Sequence, residues 1–126
     1  MSNKNQETSP LYSNESPWGK WEVLVDSKYC KVKRIIVEPN KRLSYQKHNH
    51  REETWFIVKG EATVVLNDKT QTLYSGESIF IPKQAAHRAG NFSNEDLIFI
   101  EIQRGDYFGE DDIIRLQDDF GREDTQ

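Results

Sequence analysis

The chain holds a single cysteine, Cys30. No internal disulfide can form, and a reducing, cytoplasmic setting is the expectation. Cys30 itself reads as a small residue packed in a strand rather than as a nucleophile. No apolar run approaches the roughly 20 residues of a membrane span, and the N-terminus carries no apolar signal core, so a soluble protein without a membrane partner is expected. Positive charge is also in short supply. Lys and Arg number 17 against 21 Asp and Glu, for a net charge of −4, with a pI near 5.4. A nucleic-acid binder would show a basic stripe instead. The one dense basic run, Lys31-Val-Lys-Arg34, alternates with apolar residues as strand faces do. Helical periodicity and internal repeats are both absent. At 126 residues there is room for one domain around one core.

What the chain does have is short, β-branched runs separated by turn residues. Residues 1–16 are almost all polar and are expected to form a flexible tail. Strand texture begins after Pro17-Trp18-Gly19 and recurs at Trp21–Val25, Tyr29–Glu38, Leu43–His48, Glu53–Val58, Ala62–Leu66, Gln71–Tyr74, Ser78–Ile81 and Leu97–Gln103. Asn67-Asp68-Lys69 has the composition of a hairpin turn. One short strand or turn is expected near Ile114, and residues 123–126 form a short tail. About ten strands point to an all-β sandwich or closed barrel over residues 17–122. In Leu97–Gln103, Ile98, Ile100 and Ile102 share one face while Leu97, Phe99, Glu101 and Gln103 share the other. Both faces look covered, so the outer one suits a homodimer contact or a C-terminal segment packed over it. Trp55 and Phe56 read as core residues.

Three histidines are present, and two of them, His48 and His50, lie beside Gln46, Arg51, Glu52 and Glu53 just ahead of a buried strand. Imidazole nitrogens with a carboxylate oxygen suit Zn, Mn, Fe, Co or Ni. The i, i+2 spacing on a strand places two ligands on one face. His87, after Gly76 and Pro82, completes the set if the fold brings it near. Against this stands the plainer reading of surface histidines in a charged chain.

These residues resemble the cupin superfamily, with first motif G-x5-H-x-H-x(3,4)-E-x6-G and second motif G-x5-P-x-G-x2-H-x3-N. The second falls on Gly76, Pro82, His87 and Asn91, with Gln84 in place of the middle glycine. Placing the first motif on His48 and His50 leaves too few residues before Glu53. Moving it two residues back satisfies every spacing, with Asn40 in the glycine slot, Gln46 and His48 in the histidine slots, then Glu53 and Gly60. The resemblance therefore implies a metal held by Gln46, His48, Glu53 and His87, with His50 as the ligand if the register is otherwise. Longer segments, including Pro17-Trp-Gly-Lys-Trp, Leu43 to Trp55 and Ile100 to Ile113, resemble the type II phosphomannose isomerase domain. In that family the domain commonly follows a mannose-1-phosphate guanylyltransferase. No Gly-rich nucleotide loop is present here, so guanylyl transfer is not expected. Asn40, Tyr45 and Thr54 depart from residues common in the family.

The implied fold is a cupin jelly-roll β-barrel, also called a double-stranded β-helix. The implied activity is conversion of mannose 6-phosphate to fructose 6-phosphate with one divalent metal ion, of unspecified identity, and a small-molecule sugar phosphate as ligand. Such chemistry needs a base, an electrophile and a phosphate clamp. Arg51 is the preferred clamp or enediolate partner, with Arg88 and Lys47 behind it. Glu101 and His50 are the candidate bases, and Glu101 serves only if its face points inward. A non-catalytic sugar- or sugar-phosphate-binding cupin is the alternative, followed by a cupin oxygenase or epimerase.

Overall fold

Strict inside-outside alternation in three adjacent strands sets up the molecule. The computed structural model describes residues 9–123. Among these, the chain forms β1 (Tyr12–Ser16), β2 (Gly19–Asp26), β3 (Cys30–Val37), β4 (Lys41–Arg42), β5 (Tyr45–Lys47) and β6 (Arg51–Lys59). It continues with β7 (Glu61–Leu66), β8 (Lys69–Tyr74), β9 (Ser78–Ile81), β10 (His87–Asn91), β11 (Leu97–Gly105) and β12 (Ile114–Gln117). Sheet I has the order β1-β2-β3-β11-β6-β9. Sheet II has the order β12-β5-β10-β7-β8, with β4 also pairing to β10. Every pairing is antiparallel. The all-β architecture expected from the strand spacing, and the jelly-roll that the resemblance implies, is therefore the fold. Among the described residues no helix is long and apolar enough to cross a membrane.

The inward faces of β3, β11 and β6 change character along their length. At one end Val37 stands opposite Leu97, followed by Ile35, Phe99 and Ile57 in register. Next come Lys33, Glu101 and Trp55, and then Lys31, Gln103 and Glu53. The apolar end joins Val64, Ala89, Leu73 and Ile81 in the core. The opposite end is buried yet polar, which physical chemistry tolerates only where such groups are paired. Glu101 thus lies on the inner face with Leu97, Phe99 and Gln103.

Two expectations need correction. Tyr12–Ser16 is a strand rather than part of a tail, paired residue for residue with β2. Backbone pairing at a sheet edge demands little of its side chains, and Tyr12 adds an edge-on contact with Trp21 and a 2.8 Å bond to Asp26. The rest of the expected tail, residues 1–8, lies outside the described residues, as do residues 124–126. Phe56 is not core: adjacent strand residues point oppositely, so Trp55 is fully buried while Phe56 is 45% exposed. Phe56 and Val58 of β6, Ile102 of β11 and Phe80 of β9 make the outer face of sheet I apolar and exposed, and on this face the homodimer expectation rests.

Two departures from the motif glycines acquire a physical meaning. Asn40 and Gln84 stand where glycine was expected, and both have positive φ, 62° and 66°. Asn tolerates the left-handed region, whereas Gln carries the full Cβ penalty of about 1–2 kcal/mol. Asn67 and Asp68 also take positive φ, as the β7–β8 hairpin turn requires. The Gln84 amide donates to the His48 carbonyl at 2.8 Å, so the strained turn is docked against the site-forming segment. Replacing Gln84 with Gly is expected to raise the thermal midpoint by several degrees, equivalent to about 1 kcal/mol once glycine's greater unfolded freedom is subtracted. Asn40→Gly is expected to change it much less. An unchanged or lowered midpoint for Gln84→Gly in a calorimetric scan would contradict this account of the turn.

Candidate metal centre

Glu53 is the hub of the polar end. It alternates inward on β6 between Arg51 and Trp55 and is 1% exposed. Trp55 Nε1 donates to Oε1 at 2.9 Å, and Arg51 Nε donates to Oε2 at 3.0 Å. His48 Nε2 lies 3.2 Å from Oε2, and His87 Nε2 lies 3.7 Å from Oε1. The two imidazoles come from sheet II. His48 directly follows β5, and His87 opens β10, whose Cα pairs with Gln46 of β5. The site therefore spans the two sheets.

The tautomers follow from the backbone. His48 Nδ1 is 2.5 Å from the Asp112 carbonyl, and His87 Nδ1 is 2.9 Å from the Ala85 carbonyl. A carbonyl can only accept, so each Nδ1 carries the proton and each Nε2 presents a lone pair toward Glu53. Arg51 Nη2 sits 3.3 Å from His48 Nε2. His87 Nε2 is buried without a hydrogen-bond partner, and burying such an atom is costly unless something binds it. Ligand atoms of His48, Glu53 and His87 all lie within 4.8 Å of one another. Two imidazole lone pairs, each ring oriented by a carbonyl, plus one carboxylate form a donor set that could hold a divalent metal ion.

Electrostatics agree with that reading. Burial pushes the His48 imidazole down from 6.5 to about 4, with Arg51 and His87 adding to the shift against the opposing pull of Glu53 and Asp112. Burial would raise the Glu53 carboxyl, but the neighbouring His87, His48 and Arg51, with a hydrogen bond from Glu101, hold it below the usual carboxylate range. Burial would likewise weaken the Arg51 cation, yet Glu53, Glu101 and Glu110 more than compensate and raise its pKa. Glu101 moves the other way, up to about 8, through burial and the charge of Glu53. Gln103 Nε2 donates to its Oε2 at 2.6 Å.

His48, Arg51, Glu101 and Gln46 share the wall of a cavity of about 90 Å³ with Lys33, Ser44, Glu110, Arg115 and Arg122. The Gln46 Oε1 atom accepts from Ser44 Oγ at 3.2 Å. His50 is not brought to this wall, which corrects its place as ligand or base. Its side chain is 54% exposed and turned to Asp106 at 3.4 Å, with Tyr107 against its ring. The chain bends at Asn49 and His50, so alternation from His48 does not carry to it. Arg88 and Lys47 are also off this wall. Arg88 Nε is held by the Leu43 carbonyl at 3.1 Å.

Several contributors were not anticipated. Trp55 and Lys33 could have been found from alternation, standing two residues from Glu53 and at an inward position of β3. Asp112 could not: it grips the bend by accepting from the Asn49 and His50 amides at 2.9 and 3.0 Å while its carbonyl orients His48. Nothing in its spacing announces a contact more than sixty residues back along the chain.

The depressed His48 pKa fixes a pH dependence. In chelator-treated protein the unfolded chain takes up a proton near pH 6.5 while the folded chain does not until about pH 4. Stability should therefore be intact above about 6.5 and fall as pH drops toward 4, by on the order of 3 kcal/mol from this residue. The His48→Gln variant should lose much of that slope in urea titrations. An imidazole resonance of His48 titrating near 6.5 would contradict it.

The model of the family described as mannose-6-phosphate isomerase C-terminal matches residues 3–118. A mannose-1-phosphate guanylyltransferase of Sinorhizobium fredii is 45% identical over 103 residues, 82% of this chain and 20% of its own length. The alginate biosynthesis protein AlgA of Pseudomonas aeruginosa is 44% identical over 106 residues, 84% of this chain and 22% of its own. The chain thus spans about a fifth of the length of these relatives. Among solved structures, the capsular polysaccharide assembling protein CapF of Staphylococcus aureus superposes with a TM-score of 0.74 at 19% identity, covering 88% of this chain and 34% of that one. A double-stranded β-helix protein of Klebsiella pneumoniae gives 0.68 at 20% identity, covering 77% and 83%. These two establish the fold alone. Matched over residues 3–118, the chain has the double-stranded β-helix fold and belongs to the mannose-6-phosphate isomerase C-terminal family.

Proposed function

We propose that this chain is a metal-dependent aldose–ketose isomerase acting on a hexose phosphate, converting mannose 6-phosphate to fructose 6-phosphate. One observation carries the reading: two oriented imidazole lone pairs and a buried carboxylate converge beside a cavity that also holds Arg51 and Glu101. Family membership supports it. His48, Glu53 and His87 would hold the ion, with Gln46 as fourth ligand through its amide oxygen. A divalent ion bound there supplies Lewis-acid polarisation of the sugar oxygens at C1 and C2.

The remaining work belongs to side chains of the cavity. Isomerisation moves a proton from C2 to C1 and a second from the C2 hydroxyl to the C1 oxygen, and leaves the carbon skeleton intact. Glu101, anchored by Gln103, is the carboxyl that takes the C2 proton and returns it to C1. Its elevated pKa keeps both protonation states accessible near neutrality. Arg51 is fixed by Glu53, and its Nη1 is buried without a partner. It is positioned to stabilise negative charge as this develops on the enediolate oxygens, a task for which a pre-oriented buried cation is suited. Lys33, linked to Glu110 at 2.7 Å, closes the wall beside Glu101 and helps keep water out.

A second reading is a sugar-phosphate-binding cupin without turnover. The relatives' names describe guanylyl transfer and biosynthesis, and the match covers only about a fifth of their length. The two readings separate in an assay of chelator-treated protein resupplied with Mn, Co or Zn. Isomerisation of mannose 6-phosphate is expected to return with metal and to fall at least about 100-fold in His48→Ala, Glu53→Ala and Glu101→Gln. Saturable binding with no turnover across hexose phosphates would favour the second reading, and turnover indifferent to chelation would remove the metal from the account.

A further inference from the structure

Successive residues of a strand point to opposite sides, so β10 sends His87 to the metal centre and Arg88 to the outer face of sheet II. Arg88 is 4% exposed, and its protein contacts are all neutral. Nε donates to the Leu43 carbonyl at 3.1 Å, Nη1 donates to Gln117 Oε1 at 3.4 Å, and Cζ lies 6.0 Å from the centre of the Tyr45 ring. Nη2 is buried without a hydrogen-bond partner. Among the described residues no carboxylate pairs with this guanidinium. The acids that act on it through space are already taken, Asp119 by Arg42 at 2.7 and 2.9 Å and Asp118 by Arg122 at 2.7 Å. A buried cation without a counterion is costly, and burial together with the like charge of Arg42 pulls the Arg88 pKa down.

Arg88 also lines a cavity of about 220 Å³ that shares no residue with the cavity beside the metal centre. Cross-strand register explains the hollow. Arg88, Val65 and Thr70 form one row, and Arg42, Gly90 and Thr63 form the next. Gly90 has no side chain to fill the space between them, and a Cβ there would come 3.2 Å from the Phe92 ring. That ring is 61% exposed. The Thr63 and Thr70 hydroxyls bond no other described residue, and no carboxylate lines the cavity.

We propose that this cavity binds a small aromatic carboxylate, its carboxylate on Arg88 and the two threonine hydroxyls and its ring against Phe92 and Val65. The site stands apart from the isomerase reading, since none of its residues takes part in that chemistry. Guanidinium–carboxylate bonds are charge-assisted and among the stronger ones available. The Gln117 bond is long and yields readily, which lets the guanidinium turn its free edge to a ligand. Asp118 and Asp119 make a second negative charge unfavourable, so a monoanion is preferred to a phosphate dianion. The volume lies below the roughly 300 Å³ at which drug-sized pockets begin, which limits the ligand to about one ring. Phe92 offers that ring an edge or offset-stacked contact.

The test is an amide-resolved NMR titration of the full chain with benzoate, benzyl alcohol, acetate and inorganic phosphate. Benzoate is expected to saturate with a Kd of about 1 mM, moving the Gly90 and Phe92 amides. The other three probes should bind at least about fivefold more weakly, each lacking the charge, the ring or the single negative charge. Arg88→Gln is expected to weaken benzoate about tenfold or more. Thr70→Trp, which fills the cavity from an exposed strand position, should do the same and decides alone if Arg88→Gln does not fold. Benzoate binding unchanged in a folded variant, shifts centred on His48 and Trp55 instead, or no saturation by the wild type would overturn the site. Benzyl alcohol or phosphate binding as tightly as benzoate would overturn the aromatic carboxylate as its ligand.

Discussion

Everything at the polar end depends on a carboxylate taken out of water. Glu53 is buried on β6 with Arg51, Trp55 and two imidazoles as company, and an ionised group so placed is tolerable only when its oxygens are matched. The groups that donate to it, Arg51 and Trp55, both belong to β6. Sheet II brings the Nε2 lone pairs of His48 and His87 to the same carboxylate, an arrangement of acceptors that a bound cation would match. The same geometry collects ligand atoms at one point and so builds the donor set. His87 Nε2, buried and unpartnered, is the atom for which protein contacts alone do not account.

The inner face of sheet I explains why the site sits where it does. Its layers run from Val37 and Leu97 through Ile35, Phe99 and Ile57 to Lys33, Glu101 and Gln103. The apolar layers supply the core, and the polar layers supply a cavity whose charges hold one another in place. Within it the carboxyls are driven apart, Glu53 down and Glu101 up to about 8, because Glu53 keeps Arg51 closest while Glu101 meets both burial and the charge of Glu53. Two neighbouring carboxyls with opposed pKa shifts can do different chemical work.

Much of this was legible in the sequence because it is local. Strand alternation placed Gln46 with His48 and Leu97 with Glu101, whereas His87 was joined to His48 and Glu53 only through the family resemblance. The glycine slots filled by Asn40 and Gln84 marked positive-φ turns that the structure shows at those positions. What was not legible depends on contacts distant in sequence or on breaks in alternation. Asp112 grips His48 from far along the chain, and Arg115 and Arg122 arrive with the C-terminal return. His50 leaves the site because the chain bends after His48. Tyr12–Ser16 carries no apolar pattern because an edge strand can be held by its backbone. Alternation also shows why Trp55 and Phe56, both apolar neighbours, part company.

The central claim is that His48, Glu53, His87 and Gln46 form one metal site. The most direct measurement is anomalous diffraction from crystals of the protein grown with Mn or Co. The account predicts one strong peak per chain, bonded to His48 Nε2, His87 Nε2, a Glu53 oxygen and Gln46 Oε1. A peak at His50, a site in which Gln46 stays turned to Ser44 away from the ion, or no peak between His48 and His87 would contradict it.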